Sequence, residues 1–109
     1  ENKITALKDY RFSLIIENES SNNWFTEKLI DCLVTGTVPI FWGCPNIHEF
    51  FDPRGFILFN NINQISKIKS ECNDSVYKNL LPFIEKNYHS ALQYVDIFNR
   101  ITKIIENEI

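Results

Sequence analysis

The strongest constraint on the fold is a strand, helix and strand pattern within residues 11–42. Residues 11–16 read RFSLII and residues 38–42 read VPIFW, and both runs are rich in strand-forming apolar side chains. Between them, apolar residues recur at helical spacing over residues 24–35. Strands that are apolar on both faces are typical of a parallel sheet that is covered on both sides. The pattern therefore predicts a βαβ unit.

Single residues mark the ends of these elements. Asn23 is a candidate N-cap, because its side chain can accept hydrogen bonds from the unpaired N–H groups of a first helical turn. Gly36 is suited to end the helix, because it adopts the left-handed conformation readily. Pro39 cannot donate to a sheet ladder, and it is therefore expected near the start of the second strand.

A third strand is predicted at residues 56–59, which read FILF. It follows turns at residues 43–46 and 52–55, and a helical turn is expected between them at residues 47–51. Three apolar strands and their connecting helices predict a three-layer α/β fold, in which helices flank a parallel sheet.

The second half of the chain is predicted to be helical. Isoleucines repeat at helical spacing over residues 62–68. Two further helices are expected at residues 76–86 and 90–109. A break is expected around Pro82 and Asn87, because a proline interrupts the ladder of helical hydrogen bonds.

Length and composition exclude several classes of function. The chain has 109 residues, of which 44% are hydrophobic and 23% are charged, as expected for one compact domain. The net charge of −3 provides no positive field for a polyphosphate backbone, so nucleic acid is not an expected partner. No apolar run reaches the roughly 18 residues that a membrane-spanning helix needs.

Cysteine and histidine usage predicts neither a disulfide framework nor a metal site. The three cysteines, Cys32, Cys44 and Cys72, are an odd number at wide spacing, which favours a reducing compartment. His48 and His89 have no second ligand at metal-binding spacing, so no metal is expected.

Two other groups that could carry chemistry are interpreted as structural. Glu49 and Asp52 lie beside Pro53 and are interpreted as solvated carboxylates of an exposed turn rather than as an acid/base pair. Cys44 follows Gly43 in a turn where the sequence provides no neighbouring base, so it is not expected to be a nucleophile.

The candidate ligand site is the loop that follows the first strand. In a parallel α/β sheet, ligands bind beyond the carboxyl ends of the strands, where a helix N-terminus favours anions. This position is residues 17–28, ENESSNNWFTEK, which contain neither the GxGxxG dinucleotide motif nor a P-loop motif. The segment instead combines an amide, an aromatic ring, a hydroxyl, a carboxylate and an ammonium group, which belong to Asn18, Trp24, Thr26, Glu27 and Lys28.

This set of groups suits a nucleotide sugar. A carboxylate such as that of Glu27 can accept from both ribose hydroxyls, and Lys28 at a helix N-terminus can hold a diphosphate. The alternative is a solvated helix surface. There the helix dipole stabilises Glu27 in the first turn, and Lys28 forms an ion pair with Asp31. Glu27 and Asp31 are like charges four residues apart, which is mildly unfavourable and favours another partner for Glu27. Spacing alone leaves both interpretations open.

Blocks in the first half of the chain resemble the C-terminal part of glycosyltransferase family 10, the α-1,3/1,4-fucosyltransferases. RFSLIIEN and WFTEKLIDCLVTGTVPIFWGCPNIHEFFDPRGFI follow the family pattern FxLxFEN, YVTEKxxDA and GTIPVYWGxPNIxxFFxPxSFI over residues 10–58. The resemblance implies the Rossmann-like, donor-binding domain of a GT-B enzyme. It also implies that an enzyme of this kind transfers fucose from GDP-fucose to a glycan hydroxyl, with inversion.

The resemblance also implies roles for single residues. It assigns Glu27 to the ribose hydroxyls and Lys28 to the phosphates, and it places Asn18 and Trp24 in the lining of the donor pocket. Trp24 stands where the family has Tyr, and Ile16 stands where it has Phe. Trp24 keeps a face for stacking but lacks the phenolic hydroxyl, which affects the preference for a base or a sugar.

The catalytic base of the family lies on an N-terminal acceptor domain, so the resemblance implies no catalytic residue within this chain. Glu1 is not an initiator methionine and no signal-peptide pattern follows it, which indicates a piece of a longer protein. Residues 1–109 are therefore expected to be a single donor-binding domain, whose glycan acceptor is held by a missing N-terminal domain. The family's phosphate-binding arginine lies upstream of the first strand, and Arg11 is interpreted as a strand-edge charge instead.

The predicted C-terminal helix is amphipathic. Its apolar stripe comprises Ala91, Tyr94, Val95, Phe98, Ile101 and Ile105. The polar face mixes both signs of charge, which favours packing on a protein surface over a peripheral contact with a membrane. Without an acceptor domain to cover it, the stripe is expected to support a homodimer or to fray at its end.

Alternatives to the fucosyltransferase are a non-catalytic domain that binds nucleotide sugars and a transferase that uses another nucleotide sugar. The resemblance favours a bacterial type of protein, in the cytoplasm or at the inner membrane, over a eukaryotic protein of the Golgi membrane. No cofactor is expected besides the donor substrate.

Overall fold

A computed structural model describes residues 11–108, so the last residue of the predicted C-terminal helix, Ile109, lies outside the described residues. The regular elements are β1 (Phe12–Ile16), α1 (Glu27–Val34), β2 (Val38–Trp42), β3 (Ile57–Leu58), α2 (Ile65–Glu71) and α3 (Asp74–Glu108). Within residues 11–108, three short 3-10 turns lie at Ile47–Glu49, Pro53–Gly55 and Ile62–Gln64.

The three strands form one parallel sheet in the order β1, β2, β3. Leu14 lies opposite Ile40, and Ile40 in turn lies opposite Ile57. This arrangement confirms the predicted α/β fold with a parallel sheet and flanking helices. Because the strands are parallel, the loops that follow β1 and β2 leave the sheet at the same edge.

The two faces of the sheet contact different helices. Ile15 and Phe41 point to the face where α1 and α3 pack, and Phe41 is fully buried there in the main apolar cluster. Leu14 and Ile40 point to the opposite face, because successive side chains of a strand alternate. There they line a cavity of about 360 Å³ together with Ile65 and Ile68 around α2. The sheet is therefore the middle layer between α1 with α3 and α2.

The predicted start of the first helix is wrong by three residues. The helix begins at Glu27, and its N-cap is Thr26, whose Oγ1 accepts a hydrogen bond from the backbone N–H of Lys28 at 3.3 Å. Asn23, the predicted cap, instead adopts the left-handed conformation with φ of 63°. The predicted end of the helix is confirmed, because Gly36 follows the C-cap with φ of 70°.

The apolar spacing misled the prediction because Phe25 is half-buried and packs from the loop before the helix, not from the helix itself. Its ring lies 5.3 Å from that of Phe50, 5.6 Å from that of Phe51 and 5.4 Å from that of Tyr94. The edge-to-face geometry of these contacts is favourable for aromatic pairs. An apolar residue thus continues the helical period without belonging to the helix.

The predicted break between the last two helices is also wrong, because α3 runs without interruption through Pro82 and Asn87. A proline inside a helix costs about 3 kcal/mol, so contacts on either side of it must offset the loss. Before Pro82, the Tyr77 hydroxyl donates to the carbonyl oxygen of Gly36. After it, Asn87 bonds the backbone of Asp52. Both contacts hold α3 to the body of the domain.

The remaining short elements lie where they were predicted, with smaller extents. The helical turn after β2 is the 3-10 turn at Ile47–Glu49, and the third strand is limited to Ile57–Leu58. Phe56, which was predicted to begin that strand, is a buried member of the main apolar cluster.

Candidate functional site

The candidate site lies at the edge of the sheet where β1 and β2 end. The loop after β1 spans residues 17–26 and leads into α1, and it lies against the turn that follows β2. The backbone N–H of Glu17 donates to the carbonyl oxygen of Trp42 at 3.0 Å, which extends the sheet ladder by one bond. The Ser20 hydroxyl donates to the carbonyl oxygen of Gly43 at 2.9 Å. These bonds hold the loop close to the end of β2.

A second contact between the two loops is made by Asn23 and Asn46, which we call the asparagine clamp. The Oδ1 of Asn46 accepts from the backbone N–H of Asn23 at 2.8 Å, and its Nδ2 donates to Asn23 Oδ1 at 2.8 Å. Asn46 also donates to Glu49 at 2.9 Å and accepts from the Cys44 thiol at 3.0 Å. The clamp holds Asn23 in its left-handed conformation, which asparagine tolerates better than most residues. It thereby fixes the direction in which the chain enters Trp24.

Four of the predicted donor-binding residues lie exposed along this loop and the first turn of α1. They are Asn18, Trp24, Glu27 and Lys28, and Trp24 leaves 45% of its surface in solvent. Neither Glu27 nor Lys28 forms an ion pair within residues 11–108. The Lys28–Asp31 pair of the alternative interpretation is therefore not formed in the part of the chain that the structure describes. Both charges are available to a ligand.

The fifth predicted residue, Thr26, uses its hydroxyl to shape the start of α1. Besides accepting from the Lys28 N–H, its Oγ1 donates to Oε1 of Glu17 at 3.0 Å. Its assignment as a donor-binding residue stays a prediction.

Glu17 is the residue of this region that the sequence analysis missed. Its side chain lies at the carboxyl end of β1 and leaves only 3% of its surface in solvent. One sequence signal for Glu17 was available: it is a carboxylate that directly follows an apolar strand, inside a block that resembles a known family. The asparagine clamp was missed too, although Asn46 belongs to the same resemblance.

A separate charged cluster surrounds Asp52, which contradicts its interpretation as a solvated carboxylate. Its side chain is buried and accepts from Arg54 Nε at 3.0 Å, from Arg54 Nη2 at 2.7 Å and from Lys86 Nζ at 3.2 Å. The hydrogen bonds from Arg54, together with that from Lys86, hold the pKa of Asp52 well below its usual range. The hydrogen bond to the Asp52 carboxylate raises the pKa of Arg54 in turn. The cluster connects the Pro53–Gly55 turn to α3 and leaves Asp52 unsuited to proton transfer near neutral pH.

The cysteines are free thiols. Burial raises the pKa of Cys32 to about 12, and burial together with the neighbouring Glu71 raises the pKa of Cys72. Cys44 is buried and donates to the asparagine clamp. Raised thiol pKa values and burial are typical of structural cysteines.

Arg11 lies at the amino end of β1, away from the edge where the loops meet. Its Nε lies 3.7 Å from an Asp74 carboxylate oxygen, and its guanidinium lies 4.8 Å from the centre of the Tyr77 ring. These contacts place it at the strand edge beside α3.

Comparison with known proteins shows the family of the chain. Residues 1–99 match the family described as glycosyltransferase family 10 (fucosyltransferase), C-terminal part. The chain belongs to glycosyltransferase family 10. The resemblance of its sequence blocks to this family is thereby confirmed.

Relatives of this family 10 chain are fucosyltransferases. It is 30% identical over 120 residues to the alpha-(1,3)-fucosyltransferase FucT of Helicobacter pylori, and it covers 25% of that protein. It is 40% identical over 52 residues to an alpha-(1,4)-fucosyltransferase of Arabidopsis thaliana, of which the match covers 13%. The chain thus spans a quarter or less of the length of these two relatives.

Solved structures of fucosyltransferases also resemble the family 10 chain. A crystal structure of alpha1,3-fucosyltransferase with GDP-fucose aligns with 74% of this chain and 25% of its own, with a TM-score of 0.60 and 34% identity. A crystal structure of alpha1,3-fucosyltransferase with GDP aligns with 88% of this chain and 34% of its own, with a TM-score of 0.60 and 27% identity.

Within residues 11–108, no helix has the length and apolar character that crossing a bilayer requires.

Proposed function

We propose that this chain is the donor-binding part of an inverting fucosyltransferase and that it binds GDP-fucose at the start of α1. The observation that carries the proposal is the pair of exposed charges of Glu27 and Lys28 at the loop edge of a parallel sheet, which form no ion pair with the rest of residues 11–108. Related structures that contain GDP-fucose and GDP support the choice of ligand.

In the proposed complex, each group of the loop recognises one part of the donor. The ammonium of Lys28 and the N–H groups of the first turn of α1 attract the diphosphate, because both carry positive charge at that point. The carboxylate of Glu27 accepts hydrogen bonds from the ribose hydroxyls. The exposed face of Trp24 is available for stacking, and the Asn18 amide lines the pocket.

The proposed reaction is a direct displacement at the anomeric carbon of fucose. The acceptor hydroxyl oxygen forms the new bond to that carbon while the bond to the β-phosphate oxygen breaks, and GDP leaves with the electron pair. The acceptor proton passes to a base that another part of the enzyme supplies. Lys28 and the start of α1 would stabilise the negative charge that develops on the leaving diphosphate.

Replacing Glu27 or Lys28 with alanine should weaken GDP binding by about 1 to 3 kcal/mol, because each change removes a charge-assisted contact. Isothermal titration calorimetry measures the effect, and thermal unfolding shows whether the fold persists. Asp31→Ala is the matched control, because Asp31 is an exposed acidic residue of the same helix. If both variants bind GDP as the unmodified protein does, the solvated-surface interpretation of this loop is correct.

The same titration discriminates the alternatives. We expect GDP-fucose to bind in preference to GDP-mannose and to UDP-sugars. Preference for another nucleotide sugar would favour a transferase of different donor specificity on the same scaffold. In that case Trp24, which replaces the tyrosine of the family pattern, is the first residue to exchange.

The 109 residues alone should bind the donor without transferring fucose. A two-domain cleft is needed to hold acceptor and base opposite the donor, and such positioning lowers a reaction barrier by several kcal/mol. The assay is fucose transfer from GDP-fucose to an N-acetyllactosamine acceptor. Turnover by this chain alone would mean that the catalytic carboxylate lies within it.

We also propose that the C-terminal end of α3 is covered by the acceptor domain or by a second copy of the chain. Ile101, Ile104 and Ile105 leave about half of their surface in solvent, whereas Phe98 packs against the main apolar cluster. Burying side chains of this size is worth about 1.5 to 3 kcal/mol each. Size-exclusion chromatography with light scattering should therefore detect a dimer, or hydrogen exchange should detect fraying beyond residue 104. A monomer whose last turns are fully protected would contradict this proposal.

A further inference from the structure

Glu17 is a buried carboxylate beside the proposed GDP site, and one of its oxygens lacks a partner. It leaves 3% of its surface in solvent, and Oε1 accepts from the Thr26 hydroxyl at 3.0 Å. Oε2 is buried without a hydrogen-bond partner among residues 11–108. A buried polar atom without a partner lowers the stability of the fold, so the stability of the protein does not explain why a carboxylate stands at this position.

The neighbouring backbone makes room for this side chain. A Cβ atom at Gly43 would lie 2.6 Å from Cγ and 2.9 Å from Cβ of Glu17, which is too close for two carbon atoms. Gly43 therefore allows the end of β2 to approach Glu17 closely.

The contacts of Glu17 lead directly to the first turn of α1. The Thr26 hydroxyl has a single hydrogen, and a carboxylate only accepts, so the bond to Glu17 fixes where that hydrogen points. A lone pair of the same oxygen then remains for the backbone N–H of Lys28. Thr26 immediately precedes Glu27 and Lys28, so its orientation determines where these two side chains leave the helix.

We propose that Glu17 is a positioning residue for the GDP site: by orienting Thr26, it fixes the first turn of α1 that presents Glu27 and Lys28. This inference rests on the proposed GDP-binding function. Glu17 acts through Thr26 and not on the ligand, because its own carboxylate is buried.

The test compares Glu17→Leu, which removes the acceptor, with Glu17→Gln, which retains one. Glu17→Leu should lower GDP affinity about tenfold, the equivalent of about 1.4 kcal/mol. Its unfolding midpoint should be unchanged or higher, because the unpartnered buried oxygen is gone. Glu17→Gln should bind within about twofold of the unmodified protein, since its amide oxygen can accept from Thr26. Unchanged affinity in Glu17→Leu, or loss of affinity in step with loss of stability, would overturn the proposal.

Thr26→Val tests the same contact from the other side, and it decides the question if Glu17→Leu does not fold. Thr26→Val should lose about as much GDP affinity as Glu17→Leu, whereas Thr26→Ser should retain it. The double variant Glu17→Leu/Thr26→Val should show no further loss, because both changes break one chain of contacts. Additive losses would overturn the proposal.

Amide hydrogen exchange at Lys28 separates this inference from the proposed function. In the ligand-free protein, Glu17→Leu should accelerate exchange of the Lys28 amide, which donates to Thr26. If exchange is unchanged while the unmodified protein binds GDP, only the positioning role fails. If the unmodified protein binds no GDP, the proposed function is wrong. The positioning role of Glu17 for a GDP site is then wrong as well, even where exchange is accelerated.

Discussion

Replacing Asn87 with alanine should lower the free energy of unfolding by about 2 to 4 kcal/mol, because a buried backbone N–H loses its partner at about 1 to 3 kcal/mol and a backbone carbonyl loses one of two hydrogen bonds at about 1 kcal/mol. Asn87 leaves 1% of its surface in solvent. Its Oδ1 accepts from the backbone N–H of Asp52 at 2.8 Å, and its Nδ2 donates to the carbonyl oxygen of Asp52 at 2.9 Å. One side chain of α3 thus bonds both backbone polar groups of a residue that lies in no helix or strand, and the Asp52 carbonyl oxygen accepts a second bond from the Gly55 N–H at 3.1 Å.

Urea unfolding of the alanine variant measures this effect. Asn79→Ala is the matched control, because Asn79 is an exposed asparagine of the same helix, and we expect a change within about 0.5 kcal/mol there. Asn87→Asp should lose at least as much as Asn87→Ala, because it sets a buried carboxylate oxygen against the carbonyl oxygen of Asp52. A loss below about 1 kcal/mol in Asn87→Ala would mean that water replaces the side chain at no cost.

The same residue explains why the sequence predicted a break in α3. Asparagine is a poor helix former in isolation and is favoured at caps and turns, so Asn87 close to Pro82 indicates an interruption. Its tertiary partner, the backbone of Asp52, is distant in sequence. Gly55 makes room for the contact, because a Cβ atom there would lie 2.5 Å from Nδ2 of Asn87. Local preference is overridden by a contact that only the fold creates.

The parts of the fold that were predicted correctly depend on local pattern alone. β2 has the predicted bounds, Val38–Trp42, because an uninterrupted apolar run between glycine-containing turns admits few other interpretations. The predicted start of α1 was wrong because Phe25 packs on three aromatic rings from the loop before the helix and so continues the apolar period. The spacing of apolar residues along the chain shows which residues are buried. It indicates a helix only where all of those residues belong to one.

The candidate site divides in the same way. Glu27 and Lys28 could be singled out from the sequence, because their position in a first helical turn after a strand carries chemical meaning by itself. Glu17 was missed, because a carboxylate after a strand is ordinarily a solvated loop residue, and only the family block around it set it apart. Its burial follows from the approach of Gly43 and Thr26, which lie on neighbouring segments at the loop edge of the sheet. The asparagine clamp likewise joins two loops whose proximity the parallel sheet dictates.

The other large effect is expected at Asp52. Replacing it with alanine should destabilise the protein by about 1 to 3 kcal/mol, because it removes the charge-assisted hydrogen bonds from Arg54 and Lys86 and the acceptor that caps the following turn. The Asp52 side chain leaves only 4% of its surface in solvent. Its carboxylate caps the Pro53–Gly55 turn by accepting from the Arg54 backbone N–H at 3.0 Å. Asp96→Ala on the exposed side of α3 is the control and should have little effect.

Acid should remove the contribution of Asp52 in a predictable range of pH. Hydrogen bonds from Arg54 hold its pKa below the ordinary value of 3.8, so the unfolded chain takes up this proton first as the pH falls. The stabilisation is therefore fully present above about pH 4 to 5 and declines progressively as the pH drops further. The difference in unfolding free energy between the unmodified protein and Asp52→Asn should thus become smaller from pH 7 to pH 3, because the variant lacks the titrating group. A constant difference across that range would mean that the ion pair with Arg54 and Lys86 adds nothing beyond the shape of the side chain.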